Sequence, residues 1–168
     1  VFVERLRNKN LVTGDVKNLL TNSLVVISRS EDAKALRQLA ELKTRVTDFL
    51  SIGDPATVPA GVYANESLVK AGIWNDLQGR IAPAVDVRAA VMQVAKGNAG
   101  YGIVYKTDVL ATDGVKVIYE IPAEFHAPIL YSVVRLKPGG NPPVDEFYQY
   151  LQSDEAKGVF TKYGFKPL

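Results

Sequence analysis

Three features of the chain predict an α/β fold. Short runs rich in β-branched residues alternate with longer segments whose apolar residues recur at helical spacing. Glycine, proline and aspartate punctuate the junctions between them. The composition, 47% hydrophobic and 23% charged over 168 residues, suits a soluble chain with a sizeable buried core. Such alternation favours a mostly parallel, buried sheet covered by helices.

The elements follow in order. "VERL" and then "DVKNLLTN" (15–22) read as short helices, the second with Val16, Leu19 and Leu20 on one face. "SLVVIS" (23–28) is a buried strand. "EDAKALRQLAEL" (31–42) has helical spacing through Ala33, Leu36 and Leu39. "DFLSIG" (48–53) is a strand, followed by a helix from Pro59 to about Ala71 that stops at Gly72. "RIAPA" (80–84) is a short strand. "DVRAAVMQVAKGN" (86–98) is a helix through Val87, Ala90, Val91 and Val94, with Gly97 at its stop. "YGIVY" (101–105), "VKVIYEI" (115–121) and "PILYSVVRL" (128–136) are strands. Two closing helices carry Val144, Phe147, Tyr148 and Leu151, then Ala156, Val159, Phe160 and Tyr163; the aromatic set Phe147, Tyr148, Phe160 and Tyr163 reads as core.

Several function classes are disfavoured. The net charge is +2 with Lys and Arg interspersed among Asp and Glu, so no basic stripe suggests nucleic acid. Without cysteine there is no disulfide framework, thiolate metal site or thiol nucleophile; that fits a periplasmic protein without disulfides, and a cytosolic one too. The apolar runs are far short of a membrane span. The chain opens on "VFVERL" without Met, as expected of a processed protein or a fragment.

In open α/β sheets ligands sit at the carboxyl ends of strands, where loops lead into helix starts. That singles out junctions 53–61, 84–88 and 104–108. In "GDPATVPAGVYA" (53–64), Pro59 suits the first helical position. The amides of Ala60 and Gly61 then point out of a helix end with little side chain to cover them, which makes an anion site. On its own the stretch equally describes a helix start that needs a tight turn. At the second junction Asp86 is a natural N-cap, and the Val87 N–H remains free to donate once the cap takes the next one or two amides. The alternative is a cap that serves only its own helix. Tyr105 ends a strand, either donating its hydroxyl into the same cleft or packing in a core or interface.

The wording and order of these junctions bring a resemblance. "LLTNSLVVIS", "IGDPATVPAGVYANESLVKAGIW", "DVRAAVMQVAKGNAGYGIVYKTD", "VKVIYEIP" and "FYQYLQSDEAKGVFTKYGF" together resemble the periplasmic molybdate-binding proteins, along essentially the whole chain. The resemblance implies a type II periplasmic binding protein: two α/β lobes joined by crossing strands and closing on a tetrahedral oxyanion. Family members hold the dianion by neutral donors, two hydroxyl side chains together with backbone amides and a tyrosine. Carried over, the amides match Ala60 and Val87 and the tyrosine matches Tyr105. The ligand implied is molybdate or tungstate, with no cofactor and no resident metal. The partner implied is the membrane permease of an ABC importer, and the compartment is the periplasm.

The family's two hydroxyl donors lie in a segment upstream of "VERLRNKNLV" that has no counterpart here. The expectation is therefore one complete inserted lobe, residues 21–131. Residues 1–20 and 132–168 are then remnants of an incomplete second lobe, with strand edges open to a swapped dimer. A dianion leaving water needs hydrogen bonds for its oxygens. Each charge-assisted bond contributes roughly 1.5–3 kcal/mol net, so loss of two donors weakens binding by orders of magnitude. A rigid ring of neutral donors also selects molybdate or tungstate over smaller sulfate.

The remaining polar residues read more plainly. Lys106 either adds attraction for the anion or is a solvated surface lysine. His126, the single histidine, has no ligand partners at metal spacing. Asp54 fixes a turn, Trp74 packs at a helix boundary, and Ser51 and Ser132 lack a nucleophile-elbow context. No acid–base pair or nucleophile–base set marks an enzyme. The alternative from another class is an oxyanion-sensing domain of a transcriptional regulator.

Overall fold

The computed structural model describes residues 2–168. Along the chain run α1 (Phe2–Asn8), β1 (Val12–Thr21), β2 (Leu24–Arg29), α2 (Leu42–Arg45), β3 (Leu50–Gly53) and α3 (Pro59–Lys70). Then come α4 (Trp74–Leu77), β4 (Ile81–Ala84), α5 (Val87–Ala95), β5 (Tyr101–Tyr105) and α6 (Lys106–Leu110). The chain closes with β6 (Val115–Glu120), β7 (Tyr131–Leu136), α7 (Pro142–Tyr150), α8 (Asp154–Lys162) and β8 (Lys166–Pro167). Two compact units result: the chain up to Asn22 together with Ile129–Leu168, and the continuous stretch Ser23–Pro128.

The continuous unit holds a five-stranded sheet in the order β4-β3-β5-β2-β6. β3 pairs in parallel with β4 and β5. The expectation of a mostly parallel sheet meets one exception, because β2 runs antiparallel to both β5 and β6. β2 is buried on both faces, which explains its unbroken apolar run. The path β3–α3–β4 steps one way along the sheet and β4–α5–β5 steps back past β3. Right-handed crossovers in opposite directions put α3 and α5 on opposite faces. On the α5 face Val25, Ile27, Val91, Val94 and Val104 form the core. Alternation turns the fully buried Leu24 and Val26 to the other side.

The discontinuous unit holds a three-stranded antiparallel sheet, β7-β1-β8. Here the helix expected over 15–22 is overturned: residues 15–21 lie in β1, which pairs with β7, Lys17 opposite Val133 and Leu20 opposite Tyr131. The ladder is irregular between Thr13 and Lys17 and again between Asn18 and Leu20. Such bulges break the two-residue alternation, so Val16, Leu19 and Leu20 fall at helix-like spacing within a strand.

The helix expected over 31–42 is also absent up to Gln38. The Leu36 N–H donates to Ile118 O at 3.0 Å, and Arg45 donates to the carbonyls of Lys34 and Ala35 at 3.0 and 3.1 Å. These groups are thereby engaged outside any helical ladder; helical turns begin only at Leu39. The closing aromatic set divides as well: Tyr148 is buried and donates to Asp15 O at 3.1 Å, whereas Phe147 and Tyr163 are 60% and 64% exposed. Phe147 stacks with Tyr150 on the surface instead of entering a core.

Candidate functional site

The first junction is built by Asp54. Its N–H donates to Ala84 O at the end of β4 (2.8 Å), and its carbonyl accepts from the N–H groups of Thr57 and Val58 (3.1 and 2.8 Å). Its carboxylate accepts from the Ala56 N–H at 2.9 Å and from the Thr57 hydroxyl at 3.3 Å. This loop delivers Val58 in extended conformation to the N-cap of α3, with Pro59 at the first helical position and no capping side chain. The helix start is pressed onto the strand end: a Cβ on Gly61 would lie 1.9 Å from the Gly53 carbonyl oxygen, and one on Gly53 would lie 2.5 Å from Val58 Cγ1.

The amides of that first turn have separate fates. Pro59 has none. Gly61 and Val62 both donate back to Val58 O, at 2.9 and 3.1 Å. The Ala60 N–H has no acceptor among the described residues, although the residue is only 1% exposed. A buried backbone donor without a partner is rare and costly. The first amides of a helix have no partner within it and are satisfied by side chains, water or ligands.

At the second junction Asp86 caps α5 in extended conformation (φ −155°, ψ 173°), and its carboxylate accepts from the Ala89 N–H at 2.7 Å. The bond therefore skips to the third helical residue, beyond the first one or two. Ala90 donates to the Asp86 carbonyl at 3.2 Å, which leaves the N–H groups of Val87 and Arg88 without acceptors among the described residues. Arg88 is a second available amide that sequence reasoning missed, and the N-cap spacing was the signal for it.

At the third junction Tyr105 ends β5, half-buried, and is itself the N-cap of α6. Lys106 is engaged elsewhere, with Nζ 2.7 Å from Glu120 Oε2 in a half-exposed ion pair. Asp108, three residues after Tyr105, was not singled out from sequence. Burial pushes its carboxyl above its ordinary range; Arg88 and a hydrogen bond with the Tyr105 backbone oppose that shift, and Asp86 adds to it. One of its oxygens, Oδ2, is buried with no hydrogen-bond partner.

Sheet order brings the three expected residues to one edge. β4, β3 and β5 are adjacent and parallel, with Gly53 opposite Ala84 and Ile52 opposite Ile103. Ala60 and Val87 thus follow the carboxyl ends of β3 and β4, and Tyr105 is itself the carboxyl end of the neighbouring β5. The chain leaves β3 and β4 toward opposite faces there, which opens a crevice of the kind that holds ligands in α/β sheets. The backbone donors offered at this edge are neutral.

The start of α7 offers no such donors. α7 opens with Pro142 and Pro143, and the next two amides return to Asn141 O at 3.0 and 3.1 Å. α8 is capped by Ser153, which takes the Ala156 N–H as Asp86 takes that of Ala89, so the amides of Asp154 and Glu155 also have no acceptor among the described residues. No group of three or more His, Cys, Asp and Glu able to hold a metal ion occurs among the described residues. His126 lies on the surface, its Nδ1 2.8 Å from Ala127 O and its ring tilted against Tyr63. Ser51 is buried against Gln93 at 2.7 Å, in keeping with a structural role.

A two-lobed architecture and a neutral-donor strand edge describe a solute-binding protein. The sequence model of the family described as "Bacterial extracellular solute-binding protein" matches residues 2–166, and the chain belongs to that family. Within it the chain is homologous to molybdate-binding proteins. It is 37% identical over 168 residues to the molybdate-binding protein ModA of Haemophilus influenzae, covering 98% of this chain and 66% of that protein. It is 38% identical over 162 residues to the molybdate-binding protein ModA of Escherichia coli, covering 94% and 63%. The chain therefore spans less than two thirds of the length of these two relatives. Among solved structures, the substrate-binding domain of a putative molybdenum ABC transporter from Clostridium difficile superposes with a TM-score of 0.83 at 30% identity, covering 99% of this chain and 72% of that one.

Proposed function

We propose that the protein binds a tetrahedral oxyanion, molybdate or tungstate, and delivers it to the membrane permease of an ABC importer on the outer side of the cytoplasmic membrane. The observation that carries this reading is the buried Ala60 amide without an acceptor, at a helix start that a glycine–glycine contact holds against the sheet. Val87 offers a second amide and Tyr105 a hydroxyl from adjacent strand ends. The homology to molybdate-binding proteins supports the choice of anion. Binding is by hydrogen bonds alone, no bond is made or broken, and the anion is the only non-protein group required. The relatives are molybdate-binding proteins and the substrate-binding domain of a putative molybdenum ABC transporter, which favours this reading over a regulator's sensor domain.

The expected physics is desolvation offset by oriented donors: each oxygen that leaves water must meet an N–H or O–H. Val87→Pro tests one donor with little else changed. Proline suits the first helical position, and the extended Asp86 before it is compatible with a following proline. Calorimetric titration with molybdate, tungstate, sulfate and phosphate is expected to give tighter binding of the first two. Val87→Pro is expected to weaken that binding by about 10- to 100-fold, the loss of one charge-assisted bond. Equal affinity for all four anions, or an unaffected Val87→Pro, overturns the reading.

A further inference from the structure

We propose that Glu66, on the flank of α3, is a positioning residue: it clasps the segment by which the chain leaves the continuous unit. Oxyanion binding at the start of the same helix then tightens the clasp. The link to the oxyanion rests on the reading above, but the clasp itself does not. Beyond Ile121, whose N–H donates to Leu24 O at 2.9 Å, the chain lies in no strand until β7 begins at Tyr131. It makes one turn of 3₁₀ helix, Ala123–Phe125, and reaches Pro128, the last residue of the continuous unit. Backbone groups outside a ladder need partners elsewhere. Side chains of α3 supply them.

The Glu66 carboxylate accepts from the Ala127 N–H, with Oε2 2.8 Å from the nitrogen. Three residues earlier, the Tyr63 hydroxyl donates to Pro128 O over a longer 3.5 Å, and its ring lies 5.7 Å from that of His126. Four residues later, the Lys70 ammonium donates to Glu124 O and sits 5.9 Å from the centre of the Phe125 ring. Residues at this spacing share one side of a helix, next to the side on which Ala60, Ala64, Ser67 and Leu68 are buried. The first turn of that helix carries the Ala60 amide, buried and without an acceptor among the described residues. A helix of 12 residues is stiff, so an anion that seats its first turn also seats its flank. Coupling of this kind is reciprocal: a closed clasp favours the anion by the same factor.

Two substitutions separate the hydrogen bond from the charge. Glu66→Ala removes the acceptor, and alanine suits a helix interior, so the fold is retained. Glu66→Gln keeps an oxygen for the Ala127 N–H and removes only the charge. Amide hydrogen exchange reads the clasp without ligand. In Glu66→Ala the Ala127 N–H is expected to exchange about fivefold faster, with interior amides of β3 and β5 unchanged; in Glu66→Gln it stays near the wild-type rate. Saturating molybdate is expected to slow Ala127 exchange about fivefold in the wild type and in Glu66→Gln, and to leave it unchanged in Glu66→Ala. Molybdate affinity, by calorimetry, is expected to fall about fivefold in Glu66→Ala and to return in Glu66→Gln. Unchanged Ala127 exchange in Glu66→Ala without ligand overturns the clasp. Wild-type Ala127 exchange that ignores bound molybdate overturns the link to the site. So does a Glu66→Ala variant that binds like the wild type, or a Glu66→Gln variant that binds as poorly as Glu66→Ala. If the wild type binds none of the four oxyanions while the ligand-free exchange pattern is as expected, the oxyanion reading and the link fall together and the clasp stands.

Discussion

At position 61 a single added carbon would sit 1.9 Å from a carbonyl oxygen and 2.9 Å from the Asp54 carbonyl carbon, both backbone atoms with little freedom to move. Gly61→Ala must therefore lift the start of α3 off β3. Overpacking of this kind costs typically about 1–3 kcal/mol, and the lift also displaces the Ala60 amide. We expect a clear fall in thermal midpoint together with weakened oxyanion binding; an unchanged midpoint would show that the helix start has room to shift. By contrast, Gly72 and Gly79 have nothing within 4 Å of an added Cβ, so crowding is not their purpose. In "GDPATVPAGVYA" the sequence made Pro59 and the small cover legible. It hid the reason for Gly61, because the atoms it approaches, those of Gly53 and Asp54, become neighbours only when the turn closes.

Among the elements, α5 depends on its cap. Asp86 takes the Ala89 N–H at 2.7 Å, and Asn in its place can do the same. Asp86→Ala is expected to cost about 1 kcal/mol in denaturant unfolding, with Asp86→Asn close to wild type; equal losses would assign the effect to charge instead of capping. Elements with local signals were readable from sequence. α3 and α5 have a marked start and a glycine of positive φ just past the end, Gly72 and Gly97. Elements set by distant partners were not. β1 takes its shape from β7, more than a hundred residues further on, and its irregular ladder disguises a strand as a helix. Residues 31–38 carry helical spacing, but Ile118 and Arg45 claim their backbone groups. The candidate site followed the same division: the free Val87 amide was readable from its cap, whereas the burial of the Asp108 carboxyl nearby emerges only in the folded chain.

For the molecule as a whole, the core is unevenly distributed. The largest wholly buried side chains, from Leu24 through Leu50 and Ile52 to Ile103, all belong to Ser23–Pro128. The other unit buries Leu20, Ile129, Tyr148 and Ala156 and exposes Leu136, Phe147 and Tyr163. Native-state hydrogen exchange is expected to rank β2, β3 and β5 as slowest, with β1 and β7 opening at lower free energy. β1 amides that outlast those of β3 would contradict this. The separation of β1 from its partner also imposes an order in time. β1 ends at Thr21 and β7 begins at Tyr131. At a synthesis rate of about 5–20 residues per second, β1 leaves the ribosome roughly 5–20 s before the strand that will cover it exists. The sheet begun first is completed last, after the intervening unit has had time to collapse around its own core. Throughout that interval the oldest strand keeps an open edge.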